Sequence, residues 1–493
     1  MSARLARSIA AFAFAAAGCA FADPGLAIVV GDQTALRSAP RDSAKPHALL
    51  WQGEALEIRG ERMDYLHVYD HRLERGGFVS AKNVRRVPTG ASGAAEVLAV
   101  LRFLRDTAGQ EALGIGYAAA YIQAASVEAL RGPEGAEALD ALGTFADRLA
   151  RRASTANKAA QATLSGHFEV ALHYGIAFTT YEREGRVAIC YEGDAFRRVL
   201  DMGRGDAGQR ARAALSLTRL DCSPGDLRPT ERRAMDEARA ELLESIEVAD
   251  LPTYLRNRVH MRRAAVWNGL AFHHARRGEA AQVAATRALK ELALVRKEEL
   301  TDEDQRVYAD AAMRVNASRW ASLPLPQAPA KPGERPRLAT APGEPGETCV
   351  FLVDARHDMA KPLAKRCTYA IVWEGSATLN REGNALALAV QHTEAWRELW
   401  VFRKSGADWS VRVLPPAATA PGVGYAEFAG WVPGGRQMLV AREASGEGKY
   451  KRSYELMRVD SLATIGQAPE PSLLPAFERW QDPAWKQSTV SLR

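Results

Sequence analysis

The residues with the most chemical potential are few, and most are cysteines and histidines. Beyond Cys19 the chain carries Cys190, Cys222, Cys349 and Cys367. An even number of cysteines suits an oxidising compartment, and nearest-neighbour pairing predicts disulfides Cys190–Cys222 and Cys349–Cys367. Two other connectivities satisfy the same count. A nucleophilic Cys190 with His167 or His173 as its base is the rival role, but no local pattern supports a depressed thiol pKa. The absence of any Cys-x-x-Cys argues against zinc at these positions. His67 and His71 flank Asp70 and suggest a metal pair. On a strand, however, residues four apart lie roughly 13 Å from one another and cannot share an ion. His273 and His274 are adjacent on an expected helix, so their side chains diverge, one packing inward and the other exposed. Glu169, Glu182 and Glu184 are the carboxylates that a hydrolytic general acid would draw on.

Several signatures are missing. The sequence contains no Gly-x-Ser-x-Gly, no phosphate loop and no His-Glu-x-x-His. These absences point away from an enzyme, and no catalytic residue, metal or cofactor is expected. Arg204-Gly205-Asp206 matches an adhesion tripeptide, but flanking glycines place it in an ordinary loop. Gly446 to Arg452 reads as a basic hairpin tip, solvated by default and open to an anionic surface. Tryptophans are dense late in the chain: Trp373, Trp396, Trp400, Trp409, Trp431, Trp480 and Trp485. Most should fill a β core, with Trp396 the one expected at the surface.

The elements that must position these groups fall into segments. At 493 residues the chain is long enough for about three domains. It is 47% hydrophobic and 25% charged, so a large core needs no dense disulfide framework. Residues 1–22 read as a secretory signal. Arg4 and Arg7 precede a short apolar run, and Ala20-Phe21-Ala22 offers small residues for cleavage after Ala22. The run is too short to span a bilayer. Ala16-Ala17-Gly18-Cys19 resembles a lipoprotein cleavage box, with Cys19 as its lipidation site, although Ala16 replaces the usual larger residue. Soluble export to the periplasm is the expectation, and a membrane-anchored lipoprotein is the alternative. No later stretch is apolar enough for a transmembrane helix. The formal charge of +6 falls to +4 without Arg4 and Arg7, too small and unclustered for a nucleic-acid partner.

Residues 25–88 alternate short β-rich runs with Gly53, Gly60, Gly76 and Gly77, the pattern of a small closed or sandwich-like β unit. The run Leu36-Arg37-Ser38-Ala39-Pro40, the strand at Tyr65 and the closing Gly77-Phe78-Val79 resemble the motifs of bacterial SH3-like domains. Ala35, Ala39, Tyr65 and Phe78 depart from that family's usual residues. The aromatic replacements keep core volume, whereas Ala39 for glycine puts the turn in doubt. The resemblance covers about 60 residues and implies a small β-barrel that contacts cell-wall peptide, cell-wall glycan or partner proteins.

Residues 93–320 change to Ala, Leu, Arg and Glu with apolar residues at helical spacing, which predicts stacked helical hairpins. Thr301 and Asp304 form a capping pattern with Leu300 as a staple. Trp267, Leu270, Ala271 and Gly278 resemble the first half of a tetratricopeptide unit, but no second copy follows at the 34-residue period. Residues 323–347 hold seven prolines and read as a linker. Residues 348–493 return to β patterning. Asn380 to Asn384 and Val432 to Arg436 are turn-like runs, each feeding an apolar strand, and they resemble the repeats of periplasmic β-propellers without the aspartate. Two copies are too few for a closed ring, so blade-like antiparallel meanders are expected.

The fold class expected is therefore multidomain α+β: an N-terminal SH3-like barrel, a helical middle and a C-terminal antiparallel β domain. The function expected is a non-enzymatic binding or scaffold protein of the cell envelope. A cell-wall hydrolase or hydrolase regulator and a structural lipoprotein anchored at Cys19 are the alternatives.

Overall fold

A computed structural model describes residues 25–183, 186–323, 334–418, 422–446 and 449–488. The signal segment with Cys19 and Ala22, Glu184 and much of the proline-rich stretch lie outside these residues. The chain is mixed α+β and divides into two compact units, residues 1–177 and 178–493. That division falls inside the stretch that composition groups as one helical segment.

The first unit opens with seven strands: β1 (Leu26–Val29), β2 (Thr34–Arg37), β3 (Pro46–Leu50), β4 (Ala55–Arg62), β5 (Tyr65–Asp70), β6 (Arg75–Ser80) and β7 (Val84–Val87). They form an antiparallel sheet in the order β3-β2-β6-β5-β4-β1-β7. Period-two alternation buries Ala27, Val29, Leu36, Leu56, Leu66, Val68 and Val79 in one core. Helices α1 (Ala94–Arg105), α2 (Glu111–Ala124), α3 (Val127–Arg131), α4 (Pro133–Ser154) and α5 (Lys158–His173) follow. The sheet docks directly on them through the β3–β4 turn. Gly53 has φ +89° there, and a Cβ on it would lie 2.1 Å from the Ala112 carbonyl oxygen. Gly166 on α5 makes room for the Trp51 indole in the same way, since a Cβ would meet the ring at 2.3 Å.

The second unit begins with the hairpin β8 (Phe178–Arg183) and β9 (Arg186–Tyr191), which Cys190–Cys222 ties to the loop before α8. Of helices α6 (Asp194–Met202), α7 (Ala207–Leu217), α8 (Pro229–Glu244), α9 (Thr253–Arg276), α10 (Gln282–Ala293) and α11 (Asp302–Ser318), α7, α8, α10 and α11 pack against α9, and α6 packs against α7. Thr301 caps α11 by accepting from the Asp304 N–H at 3.2 Å, with Leu300 packed against the adjoining core. A single 3-10 turn, Arg319–Ser322, ends the helical part.

Three strands follow as a small sheet: β10 (Arg337–Pro342), β11 (Thr348–Val353) and β12 (Ala364–Thr368). β10 lies inside the stretch read as linker; its one proline, Pro342, is tolerated because it ends an edge strand that pairs with β11. Cys349 and Cys367 are direct cross-strand partners and are joined. Next come β13 (Ile371–Leu379), β14 (Ala385–Thr393), β15 (Trp396–Ser405) and β16 (Asp408–Leu414), one four-stranded antiparallel meander. A second meander is β17 (Val423–Val432), β18 (Gln437–Gly446), β19 (Lys449–Arg458) and β20 (Thr464–Ala468). Each turn-like run found in the sequence joins the first two strands of its meander. Asn380 supplies the acceptor that aspartate would have given, taking the N–H groups of Asn384 and Ala385 at 2.9 and 3.0 Å. The two turns also touch, since Glu382 accepts from the Gly434 N–H at 2.8 Å. The three-stranded sheet shares a core with the first meander, and short helices α12 (Pro475–Trp480) and α13 (Pro483–Ser488) cover the second through Phe477 and Trp485.

Candidate functional site

The two meanders pair strand to strand in parallel at Trp396 with Gly424 and Arg397 with Tyr425. Beyond Arg397, β15 turns its edge to β16, and β17 departs. The resulting wedge holds a cavity of about 340 Å³. That is within the usual range for small-molecule sites, roughly 300–1,000 Å³. Leu323, Ala389, Leu399 and Phe428 supply apolar walls, and Arg319, Arg397, Glu427 and Asp482 supply charge.

The charged trio is built by three separate elements. β15 carries Arg397 inward with no exposed side chain, and its Nη1 donates to the carbonyl of Asn316 at 2.7 Å. This places a cation at the C-terminus of α11, where the helix dipole favours one. Glu427, on β17, binds Arg397 Nη2 at 3.3 Å and also pairs with Arg319 from the 3-10 turn. Both Arg319 and Glu427 are buried. Two guanidiniums thus share one carboxylate. Burial pushes Arg397 down to about 10, Glu427 pulling the other way, so the guanidinium still carries its proton at neutral pH. Arg397 Nε and Trp320 Nε1 are buried without a hydrogen-bond partner. The hydroxyls on the wall are already engaged. Ser376 donates to the Trp373 carbonyl at 2.6 Å and accepts from the Ala389 N–H at 2.7 Å, and Thr378 donates to the Ser376 carbonyl. The wall therefore offers spare donors rather than an activated nucleophile.

Compared with known proteins, the chain matches no family model, no curated sequence and no solved structure. Its functional reading rests on its own geometry.

The other candidate residues are dispersed. Leu36 and Val79 lie in the first unit's core, and Gly77 lets β6 pass close to the Arg37 carbonyl. Arg37 donates to the Ala44 carbonyl at 2.7 Å, and the buried Tyr65 donates to Asp42 at 2.5 Å. Phe78 stacks on His67 at 4.9 Å, while Ser38 is exposed and Pro40 half-buried in the following turn. These residues converge on β2, β5 and β6, strands adjacent within one sheet. His71 is exposed and pairs with Glu57. His167 is not beside a free thiol: Cys190 is joined to Cys222, and the His167 ring hydrogen-bonds Asp32 at 2.9 Å and Gln52 at 3.1 Å. Glu169 and Glu182 are exposed on different units. Asp206 of the adhesion-like tripeptide is a helix cap. It accepts from the Gln209 N–H at 2.7 Å, and Gln209 returns the contact at 2.9 Å.

Two expectations are corrected. Trp396 is buried, not exposed, because it stands where β15 is held between β14 and β17. The basic tip at 446–452 is not uniformly solvated, since Arg452 turns back toward buried Glu443 at 4.0 Å; Glu447 and Gly448 lie outside the described residues. The trio Arg319, Arg397 and Glu427 was not singled out from the sequence. A signal existed: Arg397 and Glu427 are charges set inside apolar strand runs, Trp396 to Phe402 and Tyr425 to Val432. A charge there must be paired once it is buried.

Proposed function

We propose that the protein is a non-enzymatic binding protein of the cell envelope, and that the cavity between its meanders takes a short peptide bearing a free carboxylate. The observation that carries this reading is a 340 Å³ cavity walled by two buried guanidiniums, with Arg397 Nε and Trp320 Nε1 as buried donors that no protein acceptor takes. An incoming carboxylate gains charge-assisted hydrogen bonds there, and the apolar walls suit short side chains. Wall stem peptides have this chemistry. The motif residues gathered on β2, β5 and β6 support a second contact, between the N-terminal sheet and the wall or a partner protein. The cysteine pairs and the lack of a membrane-length apolar helix among the described residues are compatible with export.

The test is titration of the full chain with wall stem tripeptides to pentapeptides and with their C-terminally amidated forms, followed by calorimetry. Free peptides are expected to bind and amidated ones to bind at least tenfold more weakly. Leu399→Trp, which fills the cavity, should abolish binding. Equal binding by both peptide forms, or by the filled variant, would overturn the reading. Co-sedimentation with sacculi separates the two contacts. Adherence that survives Leu399→Trp belongs to the N-terminal sheet, and adherence that disappears belongs to the cavity.

A further inference from the structure

A second polar cluster lies within the second unit, apart from the cavity, and its geometry is that of a metal centre. Asp236 on α8, His273 on α9 and Glu394 in the β14–β15 turn each direct one donor atom to a common point, with all three atoms within 4.8 Å of one another. His273 is 6% exposed, and its Nε2 is buried without a hydrogen-bond partner. The nearest charged atom to it is Asp236 Oδ2, at 3.7 Å. Tetrahedral zinc with bonds of about 2.1 Å would set its ligand atoms roughly 3.4 Å apart, so that pair needs only a small closure.

The surroundings orient these donors. Arg239 Nη1 holds the other Asp236 oxygen, Oδ1, at 3.0 Å. Arg314 Nη1 reaches Glu394 Oε1 at 3.5 Å, and Asn268 Nδ2 fixes the Glu394 carbonyl at 3.0 Å. Asp236 thus meets Arg239 through Oδ1 and turns Oδ2 toward His273, and Glu394 meets Arg314 through Oε1. Outer partners of this kind orient the ligands of metal sites. Gly269 sits one turn before His273 on the same face of α9. A Cβ there would lie 3.0 Å from Asp236 Oδ2 and 3.7 Å from Glu394 Oε2, so the absent side chain keeps the point open. A space of about 10 Å³, the size of one water, lies beside Asp236, Gly269 and Glu394. Arg314 also pairs with Asp310 at 2.8 Å. Arg232 also lines this space, so three guanidiniums balance the three carboxylates, and it is the donor atoms rather than net charge that favour a cation.

We propose that Asp236, His273 and Glu394 bind a divalent transition-metal ion, zinc by donor chemistry, and so fasten α8 and α9 to the β14–β15 turn. One imidazole and two carboxylates suit zinc, with a water completing four ligands. The experiment strips the oxidised full chain with chelator and titrates it with zinc alone, reading bound metal by equilibrium dialysis and site geometry by cobalt(II) absorption. One tight equivalent is expected, together with a rise in the thermal midpoint. His273→Gln should weaken that equivalent by roughly 100-fold or more. His392→Gln, which alters an exposed histidine, should leave it intact. If His273→Gln does not fold, Glu394→Gln in the turn reads the same loss. No tight equivalent in the native chain, or one that persists in both His273→Gln and Glu394→Gln, overturns the proposal.

Discussion

The two compact units each bury a cluster of arginine and carboxylate, and the clusters are built to different ends. In the first unit, fully buried Asp70 takes Arg72 Nε and Arg75 Nε, each at 3.1 Å, and Arg72 also takes Glu54 at 2.7 Å. Burial alone would raise the Asp70 carboxyl. The hydrogen bonds and charge of Arg72 outweigh that and hold it below the usual carboxylate range. Charges there pair between the β3–β4 turn, the end of β5, the β5–β6 turn and β6, although burial raises the Glu54 carboxyl. In the second unit, Arg319 and Arg397 share Glu427, with Arg397 Nε and Trp320 Nε1 unpartnered beside an open volume. A closed knot fixes strands, whereas an open one keeps binding capacity in reserve at a cost in stability.

The largest effect expected follows from removing the shared carboxylate. Glu427→Gln removes the carboxylate that two buried guanidiniums share and should cost about 3–5 kcal/mol. Nine of the ten tryptophans lie in the second unit, so urea unfolding followed by their fluorescence reports this loss directly. A cost below about 1 kcal/mol would mean that water reaches the trio, and the contrast between the clusters would fail.

A second test uses pH. Glu443, on β18, is buried beside Arg452, and burial raises its carboxyl to about 7. A carboxyl whose folded pKa exceeds its unfolded value contributes stability below the unfolded pKa, near 4.5, and loses it as pH rises through about 7. The second unit should therefore weaken across that window, by at most roughly 3 kcal/mol. Asp70 acts with the opposite sign: its depressed pKa gives stability that persists above the unfolded value and is lost only as acid titrates the folded carboxyl. Glu443→Gln should flatten the decline between pH 4.5 and 7 relative to the native chain. An unchanged slope would remove Glu443 as its source.

What was legible in the sequence was local. Thr301 with Asp304, the pairing of neighbouring cysteines and the two turn runs at Asn380 and Val432 all depend on residues close along the chain, and each stands as read. The mixed α+β layout was legible for the same reason, through periodicity. The sites were not. Arg319, Arg397 and Glu427 meet only because α11 ends against the sheet just where β15 and β17 part. His273 reads as one of two adjacent helical histidines, and nothing near it in sequence marks Asp236 or Glu394 as its neighbours. The division at Ala177 was equally hidden, because helices on both sides share one composition.

The smallest effect sharpens the comparison at the level of single donors. Tyr174 donates its hydroxyl to the Gly53 carbonyl at 2.8 Å, and burial holds that hydroxyl up at about 12. Tyr174→Phe strips a buried acceptor of its partner and should cost about 1 kcal/mol or slightly more. Trp320→Phe removes a buried N–H that has no partner to lose. Its packing loss is offset by the removal of that unpaired donor, so the net change should stay within about 1 kcal/mol. Binding should respond in the other direction. The Tyr174 variant should hold the carboxylate peptide as tightly as the native chain, and the Trp320 variant should hold it about fivefold more weakly, the worth of one hydrogen bond near 1 kcal/mol. Urea unfolding and peptide titration on the same two variants decide the matter. If Trp320→Phe costs 2 kcal/mol or more and leaves affinity unchanged, its indole serves the fold, and the cavity's donors are as closed as those of the first unit.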